Sequence, residues 1–307
     1  MKFPPPLKKN DKIALVSTAR KITKDELLPA INIIESLGFI VVLGDSIDKD
    51  DNQFAGDDEL RANDLQKQLN NPSIKAVICA RGGYGTIRIL DKLDLYPLQK
   101  DPKWICGFSD VTALHSHIHT KVGLPTLHSQ MPILFPKDGS HDNGVKTLFA
   151  ALTEDYTFLN YQFETHPLNR LGSVSGELVG GNLSVIYSTL GSDTQINTEG
   201  KILFLEDLDE YLYHIDRMMV ALDRAGMLKD LAGLIIGGMT DMRDNETPFG
   251  STAEQTISRI VEKYNYPLCF NVPAGHIPEN KTLILGAEYS LVVSENKTEL
   301  TPFVDKF

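Results

Sequence analysis

The chain has 307 residues, 42% hydrophobic and 23% charged, with acidic side chains outnumbering basic ones 41 to 30 for a formal charge of −11. That length allows two domains or one large one, and the acidic balance argues against nucleic acid or an anionic membrane as partner. The opening Met1–Pro6 stretch has no apolar signal-like segment, and no run approaches the about 18 apolar residues of a membrane span, so a soluble, cytoplasmic protein is expected.

Ile13–Ser17 reads as a buried strand, and Lys24–Leu37 as a helix with Leu27, Ile31, Ile34 and Leu37 on one face. Gly38 ends it and Phe39–Leu43 is the next strand, which makes a βαβ unit with parallel strands. Asp57–Asn70 reads as a second helix opened by acids, and Ile74–Cys79 as a third strand. That strand runs into Arg81-Gly82-Gly83-Tyr84-Gly85, whose glycines allow positive φ and close backbone approach. The spacing matches neither a dinucleotide fingerprint nor a P-loop. Two readings stay open: bare N–H groups that hold an anion or oxyanion, or a tight turn with no ligand. Arg81 adds a fixed cation suited to a carboxylate.

Trp104–Cys106 is an apolar run that turns at Gly107, presents Ser109 and enters a helix over Val111–Lys121. A serine on a strand-to-helix turn is the arrangement of a nucleophile elbow, and equally of an ordinary helix N-cap. On the following helix His115 and His119 share a face, but no glutamate follows His115 and no third ligand is evident, so hydrogen-bonded or solvated histidines are expected and no metal. Cys79, Cys106 and Cys269 lie in apolar runs without paired spacing and read as buried free thiols. Pro125–Ser129 and Asn143–Leu152 add a strand and a helix, so the first half reads as a doubly wound α/β domain with functional residues at strand C-termini.

The pattern breaks into polar residues over Asn160–Leu171, and a boundary there gives domains 1–165 and 166–307. Beyond it come a strand at Ser173–Val179, a turn at Gly180-Gly181-Asn182 and a short helix over Leu183–Leu190. Lys201–Leu205 is a strand ending at Glu206-Asp207, followed by a helix over Glu210–Ala225 with Met218 and Met219 as core filler. Leu234–Gly237, Ala253–Tyr264 and Leu268–Val272 read as strand, helix and strand, then comes the loop Pro273-Ala274-Gly275-His276. Short strands at Leu283–Leu285 and Ser290–Val293 follow. Glu206 closes an apolar strand, where a carboxylate is either paired in a cleft or capping the next helix. His276 sits in a strand-end Pro/Gly loop that would fix its ring, or is a plain turn histidine.

Together, Ala80-Arg81-Gly82-Gly83-Tyr84-Gly85, Gly107-Phe108-Ser109-Asp110, Phe204-Leu205-Glu206-Asp207 and Gly275-His276 resemble, in order, the LD-carboxypeptidase family of serine peptidases, which includes the microcin immunity peptidases. Phe54-Ala55-Gly56, Arg61–Leu65, Gly180-Gly181-Asn182-Leu183 and Ile215–Met218 add to the resemblance, which spans nearly the whole chain. It implies a flavodoxin- or class I amidotransferase-like N-terminal domain, a smaller C-terminal α/β domain and a homodimer. It also implies a triad of Ser109 as nucleophile, His276 as base and Glu206 as its orienting acid, with the backbone N–H groups of Gly83 and Asp110 as oxyanion hole. Arg81 and Gly82 are the candidate substrate-binding residues, and no cofactor is called for. The implied reaction removes the C-terminal D-alanine of a peptidoglycan tetrapeptide in muropeptide recycling. Two alternatives stand beside it: a microcin-immunity-type peptidase for acylated or nucleotide-linked peptides, and a non-catalytic two-lobed ligand-binding protein, in which the three residues need not meet. One departure is Ser129-Gln130, where many members have Gly-Pro after the strand.

Overall fold

The structure, a computed structural model, describes residues 3–154 and 156–303. The first two residues of the Met1–Pro6 stretch and the last four of the 166–307 segment lie outside them.

The first sheet contains β1 (Lys12–Val16), β2 (Ile40–Leu43), β3 (Ile74–Cys79), β4 (Trp104–Gly107) and β5 (Thr126–His128). Between them run α1 (Lys24–Ser36), α2 (Asp58–Asn70), α3 (Tyr96–Lys100) and α4 (Thr112–Val122), with α5 (Asn143–Leu152) after β5. Strand order is β2-β1-β3-β4-β5, all parallel. This is the doubly wound order, whose direction reverses between β1 and β3 and opens a crevice at their C-terminal ends. Side-chain alternation explains the layering. Ile13 and Leu15 join a core with Leu27 and Ile34 of α1 and Leu148 of α5, whereas Ala14 and Val16 pack with Leu65 of α2 and Leu114 of α4. Side-chain caps set the helix starts: Thr23 and Glu26 form a capping box on α1, and Asp57 and Asp142 cap α2 and α5.

The second sheet comprises β6 (Tyr161–Phe163), β7 (Gly172–Asn182), β8 (Ile202–Leu208), β9 (Gly233–Thr240), β10 (Leu268–Cys269), β12 (Glu288–Val293) and β13 (Thr298–Phe303). Its order is β10-β9-β8-β7-β12-β13-β6, parallel from β10 to β7 and antiparallel beyond. Helices α6 (Leu183–Ser188), α7 (Leu212–Arg224) and α8 (Ala253–Ile260) cover one face, with Met218 and Met219 fully buried against Leu203 and Leu205. The other face, through Ile202, Phe204 and Tyr289, merges with the core of the first sheet. One strand crosses over: β11 (Leu283–Leu285) pairs antiparallel with β5 at the edge of the first sheet.

Three local readings are corrected. Gly180-Gly181-Asn182 is no turn; it is the end of β7, in register with Phe204, Leu205 and Glu206. Gly180 has φ +129 and a Cβ there would lie 1.9 Å from Phe204 O, while one on Gly181 would lie 2.5 Å from Thr112 Oγ1. The glycines serve close packing and leave the strand direction unchanged. The polar Asn160–Leu171 stretch contains β6, which is held by pairing with the distant β13. Glu206 lies inside β8 and not at its end. The three cysteines are free and buried. Among the described residues, no helix is long and apolar enough to cross a membrane.

Candidate active site

β4 ends at Gly107, and the chain then swings through Ser109 with φ +62 before a short 3-10 turn (Ser109–Val111) leads into α4. A non-glycine residue in the left-handed region is strained, and such strain persists only where the surroundings enforce it. Here a Cβ on Gly107 would lie 2.9 Å from Val111 Cγ2, so the glycine lets the turn close this tightly. Ser109 caps no helix; α4 begins without a side-chain cap. Its Oγ is 3.0 Å from His276 Nε2.

His276 follows Gly275 in the loop beyond β10, and its Nδ1 is 2.6 Å from Glu206 Oε2. A carboxylate oxygen accepts, so Nδ1 carries the proton and Nε2 faces Ser109 as acceptor. The backbone N–H of His276 donates to the same Oε2 at 3.0 Å. Glu206 is fully buried, and Phe108 lies against the imidazole with ring centroids 4.8 Å apart. Burial alone would push the His276 pKa down, but the hydrogen bond and charge of Glu206, with Asp207 adding to them, raise it above the ordinary histidine value.

Around this line the sequence signals were weaker. Asn182 Nδ2 donates to Glu206 Oε1 at 3.3 Å and to Asp207 Oδ1 at 3.0 Å, while its Oδ1 caps α6 by accepting from Val185 N–H. The Asp207 carboxyl is pushed up to about 7, by burial first and by the neighbouring Glu206 second. Asp110 is buried, and its carboxylate accepts from Thr86 N–H at 2.8 Å, which ties the Ser109 turn to the glycine loop. Arg61, also buried, donates from Nη1 to Thr18 O at 2.6 Å and Gly85 O at 2.9 Å, and from Nε to Gly56 O at 3.3 Å. It holds the loops after β1 and β3 together. Asn182, Asp207 and Arg61 lie in segments that carry the family resemblance, but their roles depend on contacts between distant strands and are not legible from the segments alone.

Ser109 opens onto a cleft of about 400 Å³ at the C-terminal ends of β1, β3 and β4, where the doubly wound order places a ligand. Arg81, Gly82, Gly83, Asp110 and His276 all line it. Gly82 backs directly onto the serine: a Cβ there would lie 3.2 Å from Ser109 Cβ. Arg81 Nη1 donates to Lys21 O at 3.2 Å, and the residue lines the cleft. Ser129 and Gln130 are buried outside the cleft; Ser129 N–H bonds Gly107 O at 3.0 Å, and Met131, Ile133 and Leu134 form that wall. The α4 histidines are held by hydrogen bonds: His115 Nε2 to Gly107 O at 2.9 Å and His117 Nδ1 to Thr194 Oγ1 at 3.0 Å, with His119 beside Glu177. Burial pushes His115 down to about 4.

Residues 13–129 match the LD-carboxypeptidase N-terminal domain and residues 175–291 the LD-carboxypeptidase C-terminal domain. The chain is 34% identical over 296 residues to a probable murein peptide carboxypeptidase of Bacillus subtilis, covering 95% of this chain and 92% of that one. Its fold superposes with TM-score 0.84 on muramoyltetrapeptide carboxypeptidase from Oxalobacter formigenes, at 26% identity and 95% and 99% coverage. It superposes with TM-score 0.85 on the microcin C7 self-immunity protein MccF, at 21% identity and 98% coverage of both, a likeness of fold.

Proposed function

The chain belongs to the LD-carboxypeptidase family and is a peptidase, and from that premise we propose that it removes the C-terminal D-alanine of peptidoglycan tetrapeptides, at the L,D amide bond, through an acyl-enzyme on Ser109. The observation that carries the reading is the continuous line from Ser109 Oγ through His276 to buried Glu206, at 3.0 and 2.6 Å. A hydroxyl so placed loses its proton to Nε2 as it attacks the amide carbon. Glu206 keeps the ring in the tautomer that can accept, and stabilises the imidazolium that forms. The backbone N–H groups of Gly83 and Asp110 are assigned to the developing oxyanion, where one donor contributes about 3–4 kcal/mol. His276 then delivers its proton to the leaving amine, D-alanine departs, and water takes the same path through His276 to release the acyl group.

The relatives support the substrate class, since they include enzymes named for murein peptide and muramoyltetrapeptide. The alternative substrate, an acylated or nucleotide-linked peptide, calls for an aromatic or acid-rich insertion after Glu206. Only Asp209, Glu210 and Tyr211 separate the end of β8 from the start of α7, which favours the tetrapeptide. Muropeptide recycling in the cytoplasm and a homodimeric assembly belong to the same proposal. The test is to incubate the protein with a peptidoglycan tetrapeptide and quantify free D-alanine. Release by the wild type that Ser109→Ala abolishes is expected; absence of release, or release undiminished by that substitution, sinks the reading.

A further inference from the structure

Arg20 belongs to the same cleft and has no role in the chemistry above. It follows β1, so it stands on one side of the β1–β3 crevice, with the glycine loop of β3 on the other. Its backbone is fixed from both sides: Lys21 N–H donates to Gln53 O at 2.9 Å, Ala55 N–H to Ala19 O at 3.0 Å, and Ser17 Oγ to Arg20 O at 2.5 Å. Its aliphatic stem fills the space a side chain on Gly83 would need, since a Cβ there would lie 2.1 Å from Arg20 Cδ and 2.4 Å from Cγ. Gly83, at φ +113, therefore does two things: it adopts a backbone few other residues could, and it seats the arginine. Among the described residues, the Arg20 guanidinium has no hydrogen-bond or ion-pair partner. That is notable in a chain where acids outnumber bases 41 to 30. Arg81, bonded to Lys21 O, stands beside it.

The reaction geometry says what such a cation is for. When an exopeptidase removes a single residue, the terminal carboxyl carbon lies only two bonds, each about 1.5 Å, beyond the scissile nitrogen. Its binding group must therefore flank the oxyanion loop, and Arg20 packs on that loop. Arg20 and Arg81 are the arginines of the cleft lining, whereas its acids Asp209 and Glu210 are paired with Arg243 and His214. We propose that Arg20, seated on Gly83 and assisted by Arg81, binds the terminal carboxylate of the peptide and so restricts the enzyme to C-terminal residues. A guanidinium offers a planar fork of donors that matches a carboxylate. This inference rests on the peptidase reading above and adds the feature that makes it a carboxypeptidase.

Binding separates the two claims. In the Ser109→Ala protein, which should bind without turnover, calorimetry compares a tetrapeptide ending in free D-alanine with the same peptide ending in D-alaninamide. The free acid is expected to bind about 10- to 100-fold more tightly. Adding Arg20→Met, which keeps the stem on Gly83, should erase that preference while changing the amide's Kd by less than about threefold. Arg20→Lys, with the charge but not the fork, should keep part of it. Equal binding of acid and amide in Ser109→Ala, or a preference untouched by Arg20→Met, overturns the assignment. Failure of the function itself shows elsewhere, as wild-type protein that releases no D-alanine.

Discussion

Glu206 Oε2 accepts two hydrogen bonds from one residue, the backbone N–H of His276 at 3.0 Å and its ring Nδ1–H at 2.6 Å. The backbone bond fixes where the loop sits and the ring bond fixes how the imidazole turns. The sign of the histidine shift sets the expected pH dependence. Burial pushes the imidazole down and Glu206 more than reverses this, so the pKa is raised. In the proposed mechanism His276 must be neutral to accept the serine proton, so kcat/KM should fall as pH drops through that raised value. Glu206→Gln leaves burial without the opposing charge. The acid limb should move to lower pH while kcat falls by about 10²–10⁴. Asp207, held up at about 7 partly by Glu206, should titrate lower in the same variant. An acid limb that stays in place in the kcat/KM profile would refute the coupling.

Ser109→Ala should reduce kcat by at least about 10⁴, the scale seen when a triad nucleophile is removed. The fold should survive, because Ser109 Oγ is engaged with His276 and caps no helix. Intact-protein mass spectrometry of the wild type with a slowly deacylated substrate should show an acyl adduct that the variant lacks. An adduct on the variant would place the nucleophile elsewhere.

Gly275→Ala tests the space around the acid. A Cβ there would lie 2.7 Å from both Glu206 Cβ and Oε2, at a residue with φ +107. The carboxylate or the loop must shift, and a displacement near 1 Å in a catalytic group costs about 10² in rate. We expect kcat to drop by that order with KM little changed. Near-normal kcat would mean that Glu206 needs less exact placement than the contacts imply.

Arg61→Met should cost stability as well as activity. The side chain is buried, and its donors serve Thr18 O, Gly85 O and Gly56 O, with Asp58 alongside. Asp58 keeps Arg88 as partner, but a buried carbonyl left without its donor costs about 1–3 kcal/mol, measurable as a lower urea midpoint at unchanged slope. A loss under about 1 kcal/mol would show that water replaces the guanidinium at those carbonyls.

What the sequence discloses about this fold follows the range of the interactions. The first-sheet strands are legible because Ile13–Val16 and Ala76–Cys79 are apolar on both faces, as buried parallel strands must be. Ser109, Glu206 and His276 stand out because each interrupts or ends an apolar run, and the ordered set of motifs does the rest. β6 is illegible because three residues with little alternation become a strand only when β13 arrives from more than a hundred positions away. Gly180-Gly181 misleads because two glycines signal a turn locally, whereas here they make room for Phe204 O and Thr112. Arg20 gives no sign at all. Its meaning comes from the β1–β3 switch point and from a glycine 63 positions on, against which it packs.

The crossing strand β11 has a consequence for how the protein is made. β11 closes the edge of the sheet that carries Ser109, and it lies just downstream of His276. His276 and the closing strand therefore leave the ribosome together, long after Ser109. A nascent or prematurely terminated chain that stops before His276 displays its serine on an open-edged sheet with no histidine to face it. The segment that brings His276 to Ser109 is thus the one that also completes the first sheet.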